Sequence, residues 1–238
     1  MAKLEQLLRG IKMVQAKKGK GKTTRLPITP TIMRVLKGAW LTGSNINHTN
    51  TRDAAMLWAV CFLCFFGFFR SGELTAPSES QYDPSENLSF RDIAFDSREH
   101  PSTLRIHLKA SKTDPFHLGM DVFVGKTSND LCPIAAMVCY LSLRSGRDGP
   151  LFVYEDGKFL TRESLVACIR EALNMSGVDA ANYSGHSFRS SAATTALQAG
   201  ISDAAIQMLG RWRSDAYKRY IKTPADQLAA FSERLAHQ

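Results

Sequence analysis

Four short stretches carry side chains able to handle a phosphate ester. In GHSFRSSAATTALQAG (185–200), His186 and Arg189 stand at i and i+3 and share one face of a helix's first turn. Free backbone N–H groups and positive potential favour an anion there. In MLGRWRSDAYKRYIKT (208–223), Tyr217 and Tyr220 lie about one turn apart beside Lys218, Arg219 and Lys222. A phenol close to cations is easier to deprotonate and can attack phosphorus. Lys112, in the turn SKTD, could reach a ligand as a mobile proton donor. Arg70 follows the apolar run that opens AAMLWAVCFLCFFGFFRSGEL (54–74). A helix buried to its last residue would fix that arginine's fork for two phosphate oxygens, with Glu73 orienting it. Each group also has a plainer reading: a capping histidine with a surface arginine, rim tyrosines, a solvated lysine, and a cation at a helix C-terminus worth a few tenths to ~1 kcal/mol.

The elements that must position these groups follow from periodicity and turn chemistry. Residues 3–16 read as a short helix and KKGKGKTTR (17–25) as a basic linker. Thr29 caps and Pro30 opens a helix over 30–41, and a polar loop follows at 42–50. Asp53 to about Phe69 is a helix without a polar face, and 76–89 is loop. Phe90–Phe95, Thr103–Lys109 and Met120–Val124 alternate apolar and polar residues and form a small antiparallel sheet, with the turn Ala110–Gly119 between the last two. Pro133–Leu143 is helical, and Leu151–Val153 is a short strand. From Thr161 onward the pattern is helical, broken at Gly177, Tyr183–Gly185, Gly200 and Gly210. The fold class is therefore mainly α with a small antiparallel β-sheet.

The net charge is +8, and its distribution is uneven. Between Glu5 and Asp53 there is no acidic residue, while Lys17, Lys18, Lys20, Lys22 and Arg25 cluster in one short run. A polyanion is the natural partner of such a run, because each neutralised phosphate releases counterions; a solvated tail or a nuclear-localisation-like run is the alternative. The 16-residue apolar segment 54–69 is short for a bilayer span and reads as a core helix. Cys61 and Cys64 form a CxxC inside that run with no second ligand pair, so the five cysteines read as reduced thiols of an intracellular protein.

Taken in order, Arg70, Lys112, His186-x-x-Arg189 and Tyr220 resemble the tyrosine recombinase (phage integrase) family of DNA breaking–rejoining enzymes over residues 26–223. FFGFFRSGEL looks like the first arginine box, LKASKTDPF the lysine hairpin, GHSFRSSAATTALQAG the His-x-x-Arg box and LGRWRSDAYKRYI the box bearing the nucleophile. The wording is nearest to eukaryotic Crypton- and DIRS-type mobile-element recombinases. The family places its nucleophile nine residues after the position following LG, which selects Tyr220 over Tyr217. That position is usually His or Trp; here it is Arg211, with Trp212 next, and either could support the attacked phosphate.

The resemblance implies attack by Tyr220 to give a 3′-phosphotyrosyl link, with Arg70 and Arg189 on the non-bridging oxygens, Lys112 protonating the leaving 5′-oxygen and His186 assisting proton transfer. It implies no metal and no other cofactor, double-stranded DNA as partner, a homo-tetramer on DNA, and a monomer or dimer without it. There is no membrane role, and the location is the nucleus in a eukaryote and the cytoplasm otherwise. Residues 1–25 would be the remnant of an N-terminal helical domain and a linker carrying DNA contacts, 26–223 the catalytic domain, and 224–238 a C-terminal helix packed in cis or exchanged between protomers. Two rivals share parts of the pattern. One is an inactive helix-turn-helix-like DNA-binding module on 194–212; the other is a type IB topoisomerase-like enzyme.

Overall fold

The computed structural model describes residues 25–42, 51–111, 114, 118–146, 148–215 and 218. The expected helix 3–16, most of the basic linker with Lys17, Lys18, Lys20 and Lys22, the loop after Thr42, Lys112, Tyr217, Tyr220 and the segment 224–238 lie outside the described residues.

Helix α1 (Pro30–Lys37) begins as its sequence dictates: Thr29 accepts a hydrogen bond from the Ile32 N–H and Pro30 fills the first position. It ends earlier than expected, in a π-turn over Gly38–Thr42. Helix α2 (Thr51–Phe66) is apolar on every side, and Ala54 through Phe65 are all buried. A helix of that kind must be enclosed by protein; α2 is the central rod, flanked by α1, the Gly38–Thr42 turn, α4 (Pro133–Leu143) and α6 (Gly185–Gln198). Cys61 and Cys64 are buried in it, and burial pushes both thiols up from their ordinary range.

The sheet has the order β1 (Ile93–Phe95), β2 (Thr103–Leu108), β3 (Met120–Gly125), antiparallel throughout. Leu104, Ile106 and Leu108 alternate inward on β2, with Leu104 opposite the buried Val124 of β3, while Arg105 and His107 turn outward to Asp121. The expected strand from Phe90 starts only at Ile93. Phe90–Asp92 is a 3-10 turn instead, because the Asp92 carboxylate accepts from the Ser89 N–H and hydroxyl at 2.7 and 2.6 Å. No strand forms over Leu151–Val153; the chain makes isolated bridges there, Ser89 with Pro150 and Val153 with Phe159.

The remaining helices are α3 (Ser71–Leu74), α5 (Arg162–Met175) and α7 (Asp203–Leu209). Thr161 and Ser202 cap α5 and α7 by accepting the N–H groups of Ser164 and Ala205. Gly177 and Gly200, both at positive φ, stop α5 and α6 near where the sequence breaks were read.

Candidate active site

The apolar run does not end in its arginine directly. Helix α2 stops at Phe66, and the chain turns sharply through Gly67 and Phe68, the latter at φ +51. A Cβ on residue 67 would lie 2.4 Å from the Phe69 ring, so only glycine lets Phe69 fold under the turn and become fully buried. Arg70 then emerges as the N-cap of α3, not as the last residue of α2. The reading of Arg70 as a cation at a helix C-terminus is therefore set aside. Its own N–H donates to Glu73 Oε2 at 2.9 Å, and its Nη1 donates to Glu73 Oε1 at 2.6 Å. Glu73 orients the guanidinium as the spacing suggested, and the remaining donors of Arg70 have no protein partner among the described residues.

Helix α6 delivers His186 and Arg189 from its first turn, with Phe188 fully buried. Residues 25–28 form a strap along this end of α6: the Leu26 N–H donates to the Asn182 carbonyl and the Ile28 N–H to that of Ser187. Arg25 is thereby brought near His186, and its charge acts on that ring. Burial first, then the charges of Arg25, Arg162, Arg189 and Arg70, hold the His186 pKa below its ordinary value, so the ring is neutral at neutral pH.

Arg189 is only 2% exposed. It donates to the carbonyls of Phe68 and Gly210, and its guanidinium lies 4.3 Å from the centre of the Trp212 ring. It thus ties the Phe68 turn to the turn after α7. Arg211 sits in that second turn at φ +53 and folds inward. Its Nη1 donates to the Gly67 carbonyl at 2.9 Å, and its Nη2 donates to the Phe68 carbonyl at 3.1 Å and to Glu73 Oε2 at 2.9 Å. Burial lowers the Arg211 pKa, while Glu73 opposes that shift. Trp212 meets Phe68 edge-on at 6.1 Å.

A cavity of about 470 Å³ opens over this arrangement, lined in part by Arg70, Glu73, Ser111, Arg162, His186 and Arg189. Three of the expected residues, Arg70, His186 and Arg189, therefore line one cavity. Ser111 brings the root of the hairpin that carries Lys112 to the rim. Arg211 and Trp212 line a separate recess beside Leu118 and Met120. Arg162 was not foreseen: as the first residue of a capped amphipathic helix it has the signature of a surface charge, and only the tertiary fold turns it to the cavity. Such a concentration of guanidinium groups is suited to binding phosphate and to stabilising charge on it. Among the described residues no three His, Cys, Asp or Glu side chains cluster as metal ligands would. Among them, too, no helix is long and apolar enough to cross a membrane.

Comparison with solved structures finds the same fold in XerA recombinase, at 17% identity and a TM-score of 0.61, covering 89% of this chain and 65% of that one. XerH site-specific recombinase bound to palindromic difH substrate, a post-cleavage complex, aligns at 14% identity and 0.59, covering 88% and 53%. The Tn1549 transposon integrase in complex with circular intermediate DNA aligns at 17% identity and 0.52, covering 88% and 67%. The chain thus spans about two thirds of XerA and about half of XerH. No curated protein sequence matches it. Residues 87–224, more than half of the sequence and including Lys112, His186, Arg189 and both candidate tyrosines, match the phage integrase family, and the chain belongs to that family of tyrosine recombinases.

Proposed function

We propose that this chain cuts and rejoins double-stranded DNA through a 3′-phosphotyrosyl intermediate. The observation that carries the reading is the convergence of Arg70, His186 and Arg189, from two distant segments, on one cationic cavity whose lining includes Ser111, the neighbour of Lys112 in sequence. Tyr220 attacks the scissile phosphorus, and its phenolic proton passes to neutral His186. The P–O5′ bond breaks, and the leaving oxygen takes a proton from Lys112. Arg70 and Arg189 balance the charge that grows on the non-bridging oxygens. The ester bond energy is kept in the tyrosyl link, so a DNA 5′-hydroxyl reverses the step on the same or another strand.

In this reading Arg25 and the lysines of 17–22 follow the DNA backbone, and 26–223 is the catalytic unit. Residues 17–25 are the linker that meets DNA, and 224–238 packs in cis or joins protomers of a tetramer assembled on DNA. The box wording favours a Crypton- or DIRS-type mobile element, with integration or excision in a nucleus. The test is incubation with nicked suicide DNA followed by a denaturing gel. A covalent protein–DNA band is expected. Salt-sensitive binding without a band would favour the helix-turn-helix module, for which the Gly200 turn between α6 and α7 is the structural support. Relaxation of supercoiled plasmid without partner DNA would favour the topoisomerase-like alternative.

A further inference from the structure

We infer that Arg211 is a positioning residue for Arg70, acting through Glu73, and makes no contact with the attacked phosphate. The inference rests on the proposal that Arg70 binds that phosphate. At this position the family usually carries His or Trp, and an arginine would be expected to offer its charge to the phosphate. The geometry assigns it elsewhere. Both terminal nitrogens are committed to internal acceptors, the side chain is only 6% exposed, and, unlike Arg189, it does not line the cavity shared by Arg70 and His186. Its guanidinium lies 4.9 Å from the centre of the Phe69 ring.

Apart from the Leu209 carbonyl of its own turn, reached by Nη1 at 3.4 Å, those acceptors belong to the segment that aims Arg70. Two are the carbonyls of Gly67 and Phe68, the turn that leads into it. The third is Glu73, itself 5% exposed, whose Oε2 also accepts the Arg70 N–H and whose Oε1 holds Arg70 Nη1. One carboxylate is therefore shared by two arginines. Arg211 fixes it from behind, and Arg70 takes its orientation from the front. A lysine could not replace this brace, because one ammonium cannot span two carbonyls and a carboxylate while stacking on a ring.

Stability alone is a weak reason for such a feature. A buried ion pair often contributes less than an apolar pair of the same volume, and Arg211 Nε is buried without a hydrogen-bond partner among the described residues. Orientation of a reacting group is a stronger reason, since a misplacement of about 1 Å can slow a reaction about 100-fold.

The test is a double-mutant cycle on the whole chain. Arg211→Met and Glu73→Gln are made in the wild-type and Arg70→Lys backgrounds, and single-turnover cleavage of nicked DNA is measured beside DNA affinity. In the wild-type background each change should slow cleavage about 100-fold while moving Kd less than about threefold. In the Arg70→Lys background the further loss should be about threefold or less, because residues that act as a unit are not additive. Arg211→Lys should restore only a small part of the rate. Equal losses in both backgrounds, accompanied by weaker DNA binding, would show a direct phosphate contact and overturn the inference.

A DNA-free measurement separates this outcome from failure of the proposed function. In ¹⁵N spectra of arginine side chains, Arg211→Met or Arg211→Lys should shift and broaden the Arg70 guanidinium signals. Unchanged Arg70 signals would overturn the inference whether or not the protein cleaves DNA.

Discussion

Gly185 packs directly on Ser71: a Cβ at residue 185 would stand 2.3 Å from Ser71 Oγ and 3.1 Å from its Cβ. The residues beside that contact are Arg70 on one side and His186 on the other. Two segments more than 100 residues apart thus meet with the Gly185 backbone against the Ser71 side chain, and the spacing across the cavity depends on it.

Gly185→Ala should therefore push α6 away from the Arg70 turn. A cost of about 1–3 kcal/mol is expected for overpacking a buried contact, with cleavage falling more than stability does. Ser71→Gly in the same chain should return much of both, because it removes the atoms in the way. Thermal unfolding and single-turnover cleavage of the two variants check this.

The state of His186 predicts an acidic limit to cleavage. Its pKa is held below the ordinary histidine value of 6.5 by burial and by the four surrounding arginines. The ring accepts a proton only when neutral, so the rate should fall as pH drops through a point below 6.5. Stability should move the same way. The unfolded chain binds this proton first as pH falls, so the contribution is full above the unfolded pKa and is lost through the folded one. Arg162→Gln removes one neighbouring cation and should shift the acidic limb upward. A pH–rate profile of both proteins, with histidine NMR titration, decides it.

Arg25 and Arg162 are exposed; Arg162 lines the cavity, and the charge of Arg25 acts on His186. If both meet the DNA backbone, each change to glutamine should weaken binding across sequences and reduce the salt dependence of log K by about 1. Unchanged salt slopes would place these side chains away from phosphate.

Gly210 is a further point of constraint. An added Cβ would fall 1.6 Å from the Trp212 ring, which lies against Arg189. Gly210→Ala should displace the indole and destabilise the protein by about 1–3 kcal/mol, lowering Tm by several degrees in a domain of this size. It should also loosen Arg189, so cleavage should fall further than the stability loss explains.

Much of this arrangement was legible in residue order. Helical period, Thr29-Pro30, Thr161 and the glycines at 177 and 200 mark the elements because caps and positive-φ turns are local chemistry. The His186-x-x-Arg189 pair was legible because a helix fixes i and i+3 to one face. What remained hidden depends on contacts between distant segments. Asp92 captures Ser89 and converts the start of a strand into a turn. Gly67 ends α2 three residues early because the Phe69 ring occupies its Cβ position. Arg211 turns inward because the carbonyls of Gly67 and Phe68 and the Glu73 carboxylate, contributed by another part of the chain, surround it. No periodicity encodes such partners.

The central claim is that Tyr220 makes the covalent bond to DNA, and mapping the linkage tests it most directly. Trypsin cuts after Arg213, Lys218, Arg219 and Lys222, which places Tyr217 in the peptide 214–218 and Tyr220 in the peptide 220–222. After reaction with nicked DNA and digestion, mass spectrometry should find a nucleotide 3′-phosphate on 220–222, and Tyr220→Phe should abolish it. A nucleotide on 214–218, or an adduct that survives Tyr220→Phe, would contradict the account.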